Sequence, residues 1–231
     1  MTGPGADLRP WLPPVRDQGQ RGTCVAFAVT AAHELDRADG GAVVEDLSEE
    51  ALFWGCKVSD GNWSSGTRFA SAAIALSANG QPVEATWPYE PSRPAGRSYA
   101  PPTPPDDSWF TGDLTAHAAG LDAIRAELDG GQPVVLGLIV VDAFFFPDEA
   151  GRIDAPAASS PARGRHAVLA VGYDTGAVLV RNSWSPDWGL DGYGWLSNAY
   201  VEAHLREIWA IGVGATGPSA SMISGDVYGA E

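Results

Sequence analysis

The stretch "DQGQRGTC", residues 17 to 24, ends in a thiol placed where a helix is expected to begin. From Cys24 to Asp36 there is no glycine or proline, and Ala28, Ala31, Ala32 and Leu35 recur at helical spacing. Thr23 is the expected N-cap, and "RADGG" supplies glycines for the C-terminal end. A lone cysteine near a helix is more often a small core hydrophobe than a reagent. At a helix N-terminus, however, the partial positive charge and free backbone N–H groups favour the thiolate, its nucleophilic form. The same geometry offers the Cys24 N–H to a developing oxyanion, with the Gln18 side-chain amide as a second donor. Gly19 and Gly22 would let the backbone pass close to a bound substrate.

A cysteine nucleophile needs a base, and the chain holds four histidines. His33 lies at the far end of the helix that starts at Cys24, too distant at about 1.5 Å per residue. His117 and His204 sit in ordinary helical or turn contexts. His166 opens "HAVLAVGYDTGAVLVRNSWS", two strand-like runs around a glycine-containing turn, which reads as a hairpin. With a loop of Asp174 to Gly176, Tyr173 faces Ala177, Asn182 opposes Val168 and His166 opposes Trp184. His166, Asn182 and Trp184 then share one face, because strand side chains alternate with period two. The asparagine can orient the imidazole, and the tryptophan can shield their hydrogen bond from water. A slip of one residue in register would break the arrangement.

Other elements must position these groups. "LSEEALFWGC" signals a second helix capped by Ser48, and a third is expected from Phe69 to Ser77, stopped by "NG". Residues 87 to 107 are dense in proline and read as a segment crossing between two halves. Beyond it, "LDAIRAELDGG" predicts a short helix, and "PVVLGLIVV" a buried strand. "PDEAGRIDAPAASSPARG" predicts a loop, and "GYGWLS" and "REIWAIGV" two further short strands. Helices first and strands second predict an α+β protein of two lobes, an architecture that commonly places a site in the cleft between them. The helical lobe is expected over about 11–108 and the β-rich lobe over about 109–212 plus an N-terminal strand. Residues 213–231 are expected to form a flexible tail.

Bulk properties agree with a folded enzyme-sized chain. Its 231 residues, 45% hydrophobic with nine tryptophans, can bury a sizeable core. A net charge of −15 argues against nucleic acid as a partner. No apolar stretch approaches the length of a membrane span, and the N-terminus lacks the layout of a secretory signal, so a cytoplasmic setting is the expectation. Two cysteines and four scattered histidines give no metal-ligand spacing, and no phosphate-binding loop is present, so neither metal nor cofactor is expected. Of the fourteen basic residues, Lys57 alone is a lysine.

The chain resembles the papain-like cysteine peptidases in their compact bacterial form. "QGQRGTC", "HAVLAVGY" and "RNSWSPDWGLDGYGWLS" match three blocks of that family in order, with "LSEE" and "WPYE" between the first two. The resemblance spans roughly residues 7 to 211. It implies that Cys24 is the nucleophile, that His166 is the base and later the acid, and that Asn182 orients His166. Gln18 with the Cys24 N–H would form the oxyanion hole, and Trp184 would cover the histidine–asparagine pair. It also places Ser65 and Gly66 where relatives hydrogen-bond substrate backbone, and Gly137 and Ala167 at the pocket for the second residue before the cut.

Departures from the pattern carry expectations of their own. Arg21 stands where many relatives have a half-cystine, so Cys56, which aligns with another paired cysteine, is expected to be reduced and buried. Val25 replaces the tryptophan that commonly follows the nucleophile. Only some twenty residues precede Cys24, so no inhibitory propeptide is expected, and restraint would come from narrow specificity or a regulatory partner. The leading reading is a thiol endopeptidase acting on peptide or protein substrates through a Cys24 thioacyl-enzyme. An amide-forming acyl transferase and a catalytically silent binding module are the alternatives.

Overall fold

Behind Cys24 the expected helix forms over Cys24–Arg37 (α1), and every residue from Cys24 to Glu34 is buried. The computed structural model describes residues 5–38, 44–102, 109–155, 160–212 and 226–229. A helix buried all round must be packed on opposite sides. Helices α2 (Glu49–Asp60) and α3 (Phe69–Ala78) flank α1 on one side, and a β-sheet covers the other. Ser48 caps α2 as expected, its hydroxyl accepting from the Ala51 N–H at 3.1 Å. Thr23 does not cap α1: its hydroxyl is bound to the Tyr89 hydroxyl at 2.8 Å instead.

The sheet comprises β1 (Ala6–Asp7), β2 (Leu114–His117), β3 (Val134–Val140), β4 (Arg152–Ile153), β5 (Gly164–Tyr173), β6 (Ala177–Arg181), β7 (Tyr193–Ser197) and β8 (Leu205–Ile211). Their order is β2-β8-β3-β5-β6-β7-β4, with β1 paired to β5. All pairings are antiparallel except that of β4 with β7. Strand β3 lies between β5 and β8, with α1 and the later helices α4 (Leu121–Asp129) and α6 (Asn198–His204) packed near it. That central place explains its unbroken apolar run, which an alternating strand with one wet face would not show. The sequence reading had neither β2 nor α6, nor the one-turn helix α5 (Asp142–Phe145) after β3, and it placed β4 inside a loop.

The hairpin of β5 and β6 departs from the expected register at its turn. Tyr173 faces Val178 and not Ala177, whereas Ala170↔Val180 and Leu169↔Arg181 keep the expected pairing. A bulge between Ala170 and Gly172 absorbs the difference. One extra residue on β5 therefore lengthens the turn without rotating the strand end that carries His166. Most of the stretch expected as a flexible tail lies outside the described residues. Asp226–Gly229 differ from the expectation: they lie in the cleft, and Tyr228 is fully buried.

The lone lysine has a structural task. Lys57 Nζ is buried and donates to the Asp60 carboxylate at 2.7 Å and to the Gly66 carbonyl at 2.8 Å. Asp60 also accepts from the hydroxyls of Thr67 and Ser71. The end of α2 is thus locked to the loop that borders the cleft. Cys56, nearby, is free and buried as expected, and burial pushes its thiol pKa up.

On the helical lobe's other flank, Glu84 accepts the Tyr89 N–H at 2.7 Å, while its second oxygen is buried without a partner. Burial, with Glu49 and Asp46 adding to it against the pull of the Tyr89 N–H and Arg16, raises its pKa to about 7. The folded protein therefore holds that proton more tightly than the unfolded chain. The resulting stability is complete below the unfolded value of about 4.5 and is lost as pH rises through 7. Glu84→Gln removes this titration, so the melting temperature of the variant relative to the parent should rise by a few degrees between pH 4.5 and 7. Parallel melting curves for the two proteins would disprove the assignment.

Candidate active site

Strand β5 carries His166, and the turn after β6 carries Asn182. Asn182 Oδ1 accepts the Ser183 backbone N–H at 2.8 Å, and a backbone N–H can only donate. That identifies Oδ1 as the amide oxygen, so the 2.7 Å bond to His166 must come from a protonated Nε2. In a neutral ring the proton is then absent from Nδ1, which is buried and has no hydrogen-bond partner among the described residues. Asn182 thereby selects the tautomer whose free lone pair can take a proton.

An aromatic box holds the imidazole. Trp184 lies over it at 4.6 Å between ring centroids, and Phe144 meets it edge-on at 5.7 Å. Phe145 stacks on Trp184, and Trp188 anchors the group by donating from Nε1 to the Phe144 carbonyl at 3.1 Å. Burial lowers the His166 pKa to about 4 against the opposing effect of its bond to Asn182. Phe144 and Phe145 were missed in the sequence, although the "DAFFF" run directly after β3 was a visible signal.

Cys24 is the first residue of α1, so its N–H lacks an intrahelical acceptor. The thiol is fully buried at the head of α1, and among the backbone groups that favour its charged form the largest effect comes from Ala167, the residue after His166. Burial raises the Cys24 pKa to about 12, outweighing the backbone hydrogen bonds that pull it down. Both partners are fully buried, and that burial opposes the charged thiolate–imidazolium pair that the helix terminus favours. Desolvation is the first cause on each side, so admitting water or a polar substrate moves both toward the charged pair.

Gln18 is buried and held from several directions. Its Oε1 accepts from Ser183 Oγ at 2.6 Å, and its Nε2 donates to the Arg21 carbonyl at 2.7 Å. Its backbone N–H donates to the Ser183 carbonyl, and its own carbonyl accepts from the Tyr89 hydroxyl at 2.7 Å. One N–H of the amide remains uncommitted by these bonds. Ser183 and Tyr89 had no assigned role in the sequence reading, although both lie inside the quoted blocks.

The cleft wall is built from three adjacent strands. Gly137 on β3 opposes Ala167 on β5 and Glu207 on β8, so the three share one face of the sheet. Across from them, Gly66 adopts φ +75°, the left-handed region that favours glycine. Ser65 packs its hydroxyl over Gly22. Thr67, the residue after Gly66, pairs its backbone with that of Tyr228. Glu207 was not singled out in the sequence. Its carboxylate Oε2 accepts from Trp209 Nε1 at 3.1 Å, leaving Oε1 aimed at the pocket.

The remaining histidines lie elsewhere. His33 bonds Gln81 within the helical lobe, His117 pairs with Glu127, and His204 packs on Tyr200. Among the described residues no group of three His, Cys, Asp or Glu is placed to hold a metal ion, and no helix is long and apolar enough to cross a membrane.

A thiol at the head of a buried helix, paired with an asparagine-held imidazole on a facing sheet, defines a papain-like fold and site. Residues 6–208 match the papain family cysteine proteases, and the chain belongs to that family. It is 31% identical over 189 residues to a cysteine proteinase of Trypanosoma brucei brucei, covering 78% of this chain and 40% of that protein. It is 30% identical over 207 residues to digestive cysteine proteinase 2 of Homarus americanus, covering 83% and 61% respectively. The chain thus spans less than two thirds of the length of both relatives. Among solved structures, Xylellain, a cysteine protease from Xylella fastidiosa, superposes with a TM-score of 0.77 at 28% identity. That match covers 89% of this chain and 84% of the other.

Proposed function

We propose that this chain is a cysteine peptidase that cuts peptide bonds through a Cys24 thioacyl-enzyme. The observation that carries the reading is the tautomer fixed by Asn182, which leaves a buried His166 Nδ1 bare and free to take a proton. In the reaction, Cys24 gives its proton to His166 Nδ1 and attacks the substrate carbonyl carbon. The Cys24 N–H and Gln18 Nε2 hold the developing oxyanion. The imidazolium protonates the leaving amine as the C–N bond breaks, and water then hydrolyses the thioester. The compact bacterial form of the family is supported by the nearly full-length match to Xylellain.

A peptidyl-epoxide reagent followed by intact mass tests the reading. The parent protein should gain one adduct, and Cys24→Ala none. An unlabelled, folded parent would turn the reading toward a silent binding module. Mass analysis of products formed with an added amine separates hydrolysis from acyl transfer.

A further inference from the structure

The cleft is occupied by the chain itself. Tyr228 pairs with Thr67 as one strand on another: the Tyr228 N–H donates to the Thr67 carbonyl at 2.8 Å, and the Thr67 N–H returns to the Tyr228 carbonyl at 3.0 Å. The next residue, Gly229, donates its N–H to the carbonyl of Arg165, immediately before His166. The chain direction therefore runs from Asp226 toward the catalytic pair, which brings the Gly229 carbonyl next in line.

The side chains fit the same reading. The Tyr228 ring enters the pocket opened by Gly137, where a Cβ would come within 2.7 Å of the ring carbon Cζ and 2.6 Å of its hydroxyl. Phe69 packs on the ring at 4.9 Å, and the phenol donates to Glu207 Oε1 at 3.0 Å. Burial and the Glu207 carboxylate push the phenol pKa up, which keeps it a donor. At Gly229 a Cβ would meet Gly66 Cα at 2.8 Å and Gly22 Cα at 3.1 Å, both backbone that cannot swing away. Two residues upstream of the ring, Asp226 pairs with Arg165 at 3.0 Å, an exposed contact of small weight.

We propose that Asp226–Gly229 is a substrate tethered to its own enzyme, that the cleft selects tyrosine followed by glycine, and that Cys24 cuts the chain between Gly229 and Ala230. This rests on the peptidase reading above. Attack by sulfur on the Gly229 carbonyl breaks the bond to the Ala230 nitrogen, which leaves with a proton from His166. Water then releases the Gly229 carboxylate and restores the thiol. Glu207 is the residue that distinguishes tyrosine from phenylalanine, because removing the phenol leaves its carboxylate oxygen without that donor.

The test uses the full chain. On incubation, intact mass should show loss of everything after Gly229 in the parent and in no Cys24→Ala sample. Tyr228→Phe should slow that loss about tenfold. With acetyl-Asp-Val-Tyr-Gly-aminomethylcoumarin, kcat/KM should exceed that of the phenylalanine counterpart about tenfold, and Glu207→Leu should erase the difference. An epoxide-labelled parent that stays intact, or is cut elsewhere, or that prefers neither peptide, overturns the proposal and leaves the peptidase reading standing. A parent that neither labels nor cuts overturns both.

Discussion

His166→Ala is expected to lower kcat/KM for peptide hydrolysis at pH 7 by about 10³-fold or more, with the protein still folded. Burial raises the Cys24 pKa well above the ordinary thiol range, so very little of it would ionise unaided at that pH. The imidazole removes this obstacle because its Nδ1 lone pair is bare and its ring is fixed by Asn182, Trp184 and Phe144. Without the base, reactivity follows hydroxide: the alkylation rate of the variant should climb tenfold per pH unit, with no plateau near neutrality. The parent, whose proton has a nearby acceptor, should reach its plateau by neutral pH. Asn182→Ala should act more weakly, by about 10- to 100-fold, since it removes only the orientation of the ring and the choice of tautomer. A His166→Ala variant within tenfold of the parent would remove the imidazole from the mechanism.

Local pattern carried the pieces that a single element or a single hairpin positions. Cys24 at a helix start, and His166, Asn182 and Trp184 on one face, follow from periodicity and one turn. The hairpin shows how narrow that success was: the expected pairing holds at Ala170↔Val180 and Leu169↔Arg181 only because a bulge after Ala170 absorbs the error at the turn, and beyond Arg181 Trp184 bridges to Asp17 while its ring still meets His166. The Glu207–Gly137–Ala167 row was beyond such reasoning. It depends on β3 lying between β5 and β8, an order that no neighbouring residues encode. Thr23 illustrates a tertiary override: a residue suited to capping gives its hydroxyl to Tyr89, 66 residues away. Residues 226–229 read as tail because glycine and small residues surround them, yet a groove with unpaired backbone supplied the partners their own sequence lacks.

Glu50 shows the same dependence on distant partners, and its replacement by glutamine is expected to be the most damaging single change to stability outside the active site. Its carboxylate is fully buried between two guanidinium groups: Oε2 meets Arg21 Nη1 at 2.5 Å, and Oε1 meets Arg93 Nε at 2.9 Å. It also accepts the Glu90 N–H at 3.2 Å, while Arg21 donates to the Glu90 carbonyl at 2.7 Å. Arg21 lies over the rings of Tyr89 at 4.8 Å and Phe53 at 5.3 Å. This cluster joins α2, the loop that leads to Cys24 and the crossing segment at Arg21, the position where many members of the family have a half-cystine. A disulfide would have constrained the unfolded chain, whereas the ion cluster acts only once folded, and breaking it strands buried positive charge. Removing one member of such a pair costs about 3–5 kcal/mol, so Glu50→Gln should lower the melting temperature by about 10 °C. Arg21→Met combined with Glu50→Gln should lose less than the sum of the two single changes, because the second substitution removes the charge that the first left unpaired. A drop below about 2 °C for Glu50→Gln, or strict additivity in the double variant, would show that the cluster does not hold the catalytic loop.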